Sequence, residues 1–170
     1  MLWVNLIMDT FAAMALASIP PSADVMNEKP RKTSDFIITK PMRYNILGVA
    51  GCFLAILMTL IVHIKELPMA EVPTALTSFF TIFVMLQFWN LFNASVFGTN
   101  HSVFKDARHA VGMISVAIII LIGQIIIVEF GGKVFRTVPL TLTEWLSIIG
   151  STSIVLWVGE IWRWIKRLKK

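Results

Sequence analysis

The chain has 170 residues, of which 56% are apolar and 15% are charged, and its formal net charge is +5. Because typical soluble domains carry about 25% charged residues, this composition excludes an ordinary soluble domain and is typical of a membrane protein. The positive charge does not indicate nucleic-acid binding, since the basic residues lie in loops and in the tail without a nucleic-acid-binding motif. We therefore expect the lipid bilayer, and no nucleic acid, as a partner.

Five apolar segments follow one another along the chain, each bounded by polar residues, proline or glycine. A bilayer core of about 30 Å requires about 20 helical residues, a length that the last four segments reach and the first nearly reaches. We predict an all-α fold: a polytopic transmembrane helical bundle that forms one domain over 1–170, with a cytosolic connector at 19–43. Its five membrane spans are predicted at about 1–18, 44–63, 72–97, 111–130 and 142–165.

The basic residues are distributed unevenly among the segments that connect these spans. Twelve of the 15 Lys and Arg residues lie in 29–43, 105–108 and the tail 163–170, whereas three lie in the alternate loops. The positive-inside rule places the basic segments in the cytosol. We therefore expect an integral, multi-pass membrane protein whose N-terminus is outside and whose C-terminus is cytosolic.

The first span carries a carboxylate, Asp9, between two apolar stretches, with Asn5 one helical turn before it. Side chains four residues apart share a helix face, so the Asn5 and Asp9 oxygens point to the same place. A carboxylate within a bilayer is costly and usually functional, and oxygen ligands suit a hard cation such as Ca²⁺. From the residues alone, the alternative is a structural pair that hydrogen-bonds to a neighbouring helix.

The third span carries Gln87, Asn90 and Asn93, which we predict to form a polar stripe on one helix face. Interhelical hydrogen bonding is the expected role of this stripe, with a cation path as the alternative. We expect the same packing role for the small hydroxyl residues that precede it, such as Thr77, and for Gln124 of the fourth span.

Ionisable and aromatic residues near the span ends receive simpler interpretations. Glu129 is expected at the outer interface, and Glu160 is expected to pair with Arg163 three residues later. Trp145 is expected to lie in the outer aromatic belt of the bilayer, and two tryptophans near the end of the last span in the inner one.

Four segments, taken in chain order, resemble the sixth, eighth and ninth membrane helices and one loop of a known family. They are 2–10 (LWVNLIMDT), 24–31 (DVMNEKPR), 83–93 (FVMLQFWNLFN) and 124–133 (QIIIVEFGGK). The family is that of the calcium-transporting P-type ATPases, and the chain resembles their plasma-membrane-type branch over helices six to ten. The resemblance implies Ca²⁺ as the transported ion, protons as the counter-ion, and the remaining helices and cytosolic domains of the pump as partners.

The resemblance also assigns roles to individual residues. Asn5 and Asp9 match the family's coordinating Asn and Asp, and the rest of that site comes from a helix that this chain does not contain. Met8 and Gln87 stand where two-ion members carry a Thr and a Glu ligand; a thioether is a poor ligand for a hard cation, and a neutral amide removes a negative charge. The resemblance therefore implies a one-ion pump in which Gln87 and Asn90 pack the helices or support the ligands.

The chain contains neither the Asp-Lys-Thr-Gly phosphorylation motif nor the Thr-Gly-Glu motif of the actuator domain. We expect it to be inactive alone, with ATP and Mg²⁺ acting only through domains of a longer parent, and Met1 to be an internal residue of that parent. The alternative is a stand-alone small membrane protein that regulates a pump or channel without catalysis. A self-sufficient secondary carrier is disfavoured, since no inverted repeat is present. Oxygen ligands alone do not distinguish Ca²⁺ from Mn²⁺.

Overall fold

The computed structural model describes residues 2–19, 38–98, 102–103 and 111–168, and within the first range it describes side chains from Asp9 onward. The regular elements in these ranges are helices, which confirms the predicted all-α class. In chain order they are α1 (Leu2–Ala17), α2 (Lys40–Glu66), α3 (Val72–Ser95), α4 (Val111–Phe130), α5 (Gly132–Phe135), α6 (Leu142–Thr152) and α7 (Ile154–Leu168).

Four stretches are long and apolar enough to cross a membrane: α2, α3, α4 and the continuous stretch of α6 and α7 over Leu142–Leu168. The predicted transmembrane bundle is therefore confirmed. The first predicted span forms α1, whose 16 residues make it the shortest of the five. Most of the predicted connector, 20–37, lies outside the described residues.

The second helix begins four residues before the predicted start, and local capping explains the difference. The Thr39 hydroxyl accepts a hydrogen bond from the Met42 backbone N–H at 3.4 Å, and Pro41 lies in the first turn. A threonine N-cap and a proline in the first turn both favour helix initiation at this point. The fourth helix has the predicted bounds, and it ends before Gly132, whose φ of +40° suits a residue without a Cβ.

The last predicted span is interrupted at Ser153 and continues to Leu168 instead of ending near residue 165. Three consecutive hydroxyl side chains, on Ser151, Thr152 and Ser153, donate hydrogen bonds to backbone carbonyls of the preceding turn at 2.6–2.7 Å. The Ser153 carbonyl accepts from the Leu156 N–H at 2.9 Å, which is a tighter turn than an α-helix. Such bonds commonly bend helices and account for the separation of α6 from α7.

The third helix lies at the centre of the bundle and contacts α1, α2, α4, α6 and α7. Its Met85 and Phe88 pack with Val128 of α4 and Ile148 of α6 in the largest apolar cluster. By contrast, Phe53 is the buried residue that α2 contributes. The positions of α2, α6 and α7 are therefore defined mainly by which face of α3 they cover, whereas α1 packs mainly against α4.

Hydrogen bonds supplement this apolar packing in the half of the bundle that we expect to be outer. Thr77 is buried and accepts from the Val138 N–H at 3.0 Å, and Thr81 accepts from Gln124 Nε2 at 3.3 Å. The interhelical role predicted for Gln124 is thus confirmed. Trp145 Nε1 donates to Glu129 Oε1 at 3.0 Å and links α6 to the end of α4.

Candidate ion site

A cavity of about 120 Å³ lies between α1 and α3 and also touches α4. Three of the residues that line it carry polar side chains, and the others are apolar. The complete lining is Asp9, Ala12, Leu16, Gln87, Phe88, Asn90, Leu91, Ala94 and Ile120.

Helical spacing explains how these side chains reach one cavity. Asp9, Ala12 and Leu16 are three and four residues apart, so they share one face of α1. The residues of α3 that line the cavity have the same spacing. Just beyond the cavity, Ala15 packs against Leu91 of α3 and Met113 of α4 with only 1% of its surface exposed. This close contact holds α1 against both helices and orients Asp9 toward α3.

The cavity offers oxygen ligands, but fewer than a Ca²⁺ ion requires. The Asp9 carboxylate supplies two oxygens, and the Gln87 and Asn90 amides supply one each. Ca²⁺ binds six to eight oxygens, so the described side chains at this cavity would provide only part of a coordination shell. Among the described residues, no three His, Cys, Asp or Glu side chains form a group that could hold a metal. The single carboxylate and its two amide neighbours are thus the polar side chains at this cavity.

The structure brings together three of the four residues that the sequence singled out for ion binding or its support. Asp9, Gln87 and Asn90 line the same cavity. Asn5 lies in α1, one turn before Asp9, but its side chain is outside the described residues. The assignment of Asn5 and Asp9 to Ca²⁺ coordination, and that of Gln87 and Asn90 to supporting the ligands or packing the helices, therefore remain predictions.

The predicted polar stripe on α3 does not stay on one face, because Asn93 turns away from the cavity. Its Nδ2 donates to the Val155 carbonyl of α7 at 2.8 Å, and its Oδ1 accepts from Arg163 Nη2 at 2.9 Å. Each step of three residues falls about 60° short of a full turn, so two steps carry Asn93 about 120° around the helix from Gln87. Gln87 and Asn90 therefore line the cavity, whereas Asn93 contacts α7.

Asn93 contacts a polar cluster on α7 that consists of Glu160, Arg163 and Arg167. The sequence predicted only part of this cluster. The predicted Glu160–Arg163 pair is confirmed at 3.0 Å, and Arg167 lies 3.7 Å from Glu160. Glu160 also accepts from the Val103 N–H at 2.7 Å. The sequence did not predict the contact between Arg163 and Asn93 of α3. The spacing of Arg163 four residues after Gly159 was the only sequence feature that pointed to it.

The sequence matches a known family over nearly its whole length. The family model described as "Cation transporting ATPase, C-terminus" matches residues 1–165. Calcium-transporting ATPase PAT1 of Dictyostelium discoideum is 38% identical over 174 residues, which cover 96% of this chain and 16% of that protein. Plasma membrane calcium-transporting ATPase 3 of Homo sapiens is 39% identical over 158 residues, which cover 86% of this chain and 13% of that protein.

A third relative, plasma membrane calcium-transporting ATPase 4 of Bos taurus, is 36% identical over 155 residues, which cover 85% of this chain and 13% of that protein. The chain thus spans only 13–16% of the length of these relatives. The family model covers the same residues as the helical bundle, and both indicate a membrane protein. The chain therefore belongs to the cation-transporting ATPase family, in which it matches the C-terminal membrane region.

Proposed function

We propose that this chain is the C-terminal transmembrane part of an ATP-driven calcium pump of the plasma-membrane type. In this role Asp9 and Asn5 supply ligands to one transported Ca²⁺. Helices α2 to α7 form the scaffold that holds α1 in register during transport. ATP and Mg²⁺ act through cytosolic domains of the pump outside this chain, and protons are the counter-ion.

One observation carries this proposal: the carboxylate of Asp9 lies at a cavity that it shares with the amides of Gln87 and Asn90. A carboxylate that only stabilised helix packing would be expected to meet a hydrogen-bond donor in a closed contact. Asp9 instead borders open volume, and it is exposed within the described part of the chain. A cation with further ligands from other helices of the pump would fill that volume.

The proposed orientation places the N-terminus outside and the tail in the cytosol, as the distribution of basic residues favours. In this orientation the ion lies within the membrane, close to the cytosolic half of α3. The family match and the names of the relatives do not favour the alternative of a stand-alone regulatory membrane protein.

The substitution Asp9→Asn in the full-length pump tests this proposal. It removes the negative charge and nearly keeps the shape, so we expect Ca²⁺-dependent phosphoenzyme formation and Ca²⁺ transport to be abolished. Correct insertion should be retained, because an uncharged side chain is less costly in a bilayer than a carboxylate. Wild-type Ca²⁺ sensitivity of phosphoenzyme formation in the variant would contradict the assignment of Asp9.

A further inference from the structure

The Asn93 side chain fits into a slot on α7. Its amide donates to the Val155 carbonyl at 2.8 Å and accepts from Arg163 Nη2 at 2.9 Å. Gly159 lies between these two partners, one turn from each. A Cβ atom at position 159 would overlap the Asn93 amide oxygen and lie 2.6 Å from Asn93 Cγ. Any side chain at position 159 would therefore displace the Asn93 amide from the slot.

Arg163 closes this slot and is itself firmly held. Only 9% of its surface is exposed, and its Nη2 also donates to Glu160 Oε1 at 3.0 Å. Glu160 in turn accepts from the Val103 N–H at 2.7 Å. A buried guanidinium must keep its partners, because an unpaired buried charge is strongly destabilising. Asn93 is thus bound to a buried guanidinium that is paired through Nη2, and not to an exposed surface side chain.

The slot and the cavity lie on different sides of α3. Gln87, Asn90 and Ala94 line the cavity. Asn93 lies about 120° around the helix from Gln87, as expected for six residues at about 100° each. Trp89 also points away from the cavity, and its Nε1 donates to Thr152 Oγ1 at 3.1 Å. Any rotation of α3 about its axis would therefore break the slot contacts and move both amides relative to Asp9.

We propose that Asn93, Gly159 and Arg163 form a rotational lock that positions Gln87 and Asn90 of α3 at the ion cavity. This inference rests on the proposed function, since it assigns these three residues to the affinity of the same Ca²⁺ site. They are positioning residues that do not touch the ion. Their effect reaches the site through the rotation of one rigid helix.

The first test is Gly159→Ala in the full-length pump, which forces Asn93 out of the slot. We expect the Ca²⁺ concentration for half-maximal phosphoenzyme formation to rise roughly threefold to tenfold, the size typical of coupling between linked sites. Phosphoenzyme at saturating Ca²⁺ should be unchanged. Gly150→Ala is the matched control, because a Cβ there meets no atom within 4 Å. It should leave both quantities at wild-type values.

The second test removes the other half of the contact. Asn93→Ala should also raise the Ca²⁺ requirement, and adding Gly159→Ala to it should have little further effect, because the new methyl group no longer meets the amide. If the Gly159→Ala variant does not accumulate in membranes, the Ca²⁺ requirement of the Asn93→Ala variant alone tests the lock. An unchanged Ca²⁺ requirement in Asn93→Ala, or a loss of maximal phosphoenzyme at unchanged Ca²⁺ requirement, would overturn the lock.

The same assay on Asp9→Asn separates this inference from the proposed function. Suppose that Asp9→Asn abolishes the Ca²⁺ response while Asn93→Ala retains wild-type Ca²⁺ sensitivity. The proposed lock is then wrong, and the proposed Ca²⁺ site is supported. If Asp9→Asn keeps wild-type sensitivity, the proposed site itself is wrong, and the lock fails with it.

Discussion

At the scale of single residues, the charge of the cavity limits what it can bind. Asp9 is the carboxylate among the residues that line it, and Gln87 and Asn90 contribute neutral amides. A second divalent ion close to the first would need further negative charge to offset the repulsion between them, and an amide does not provide it. Met8, immediately before Asp9, has only a thioether to offer. These residue types agree with the one-ion pump that we propose.

Gln87→Ala in the full-length pump is therefore expected to have a mild effect. The substitution removes one of the two amides beside the cavity but no charge, so stability or turnover should fall modestly, the Ca²⁺ requirement should rise modestly at most, and the number of bound ions should stay at one. The measurement is bound Ca²⁺ per phosphorylation site. Two ions per site in the wild type, falling to one in the variant, would contradict the one-ion interpretation.

At the scale of helices, the bundle combines apolar packing with a few interhelical hydrogen bonds. Lipid chains are as apolar as leucine, so burial alone does not select one helix neighbour over another. Close packing and polar contacts make the selection instead. On α3 these contacts include Thr77 with the loop at Val138, Thr81 with Gln124, Trp89 with Thr152, and Asn93 with Val155 and Arg163.

Thr77→Val should destabilise the chain, because it removes the acceptor for the Val138 N–H and leaves that donor unpaired in a part-buried position. A buried donor without a partner costs about 1–3 kcal/mol, so the apparent Tm of the detergent-solubilised chain should fall measurably.

Thr59→Val is the matched control. Thr59 is exposed on α2, and its hydroxyl donates to the Ala55 carbonyl one turn earlier at 2.9 Å. Its substitution should leave the Tm nearly unchanged. Equal Tm values for the two variants would contradict a stabilising role for the Thr77 contact.

At the scale of the whole molecule, the bundle leaves much apolar surface for lipid or for other helices. Along α2, large apolar side chains such as Leu47, Leu54 and Met58 are more than half exposed. The described side chains that line the ion cavity likewise offer fewer oxygens than Ca²⁺ binds. Both features agree with a chain that spans 13–16% of the length of its relatives.

The isolated 170-residue chain is therefore expected to show no ATPase activity and no micromolar affinity for Ca²⁺. Even with the Asn5 amide, its side-chain ligands fall short of the six to eight oxygens that Ca²⁺ binds, so desolvation of the ion would not be offset. Calorimetric titration of the detergent-solubilised chain with Ca²⁺ measures this directly. A one-to-one isotherm in the low micromolar range that disappears in Asp9→Asn would instead identify a complete binding protein.

The sequence by itself determined the features that depend on local patterns. Continuous hydropathy defined the helices, and the fourth helix has the predicted bounds because glycines follow it directly. The Glu160–Arg163 pair was predictable because three residues separate its members on one helix. The motif around Asp9 and the resemblance of the later helices also indicated the family, which does not depend on contacts between helices.

Only the tertiary structure decided which helix faces meet. It brought Asp9 together with Gln87 and Asn90, turned Asn93 toward Gly159 of α7, and interrupted the last span at Ser153. Helical periodicity states which residues share a face, but it does not state which neighbour covers that face. In a bilayer, where apolar faces are nearly equivalent, close packing and a few polar contacts make that choice, and they join residues more than sixty positions apart.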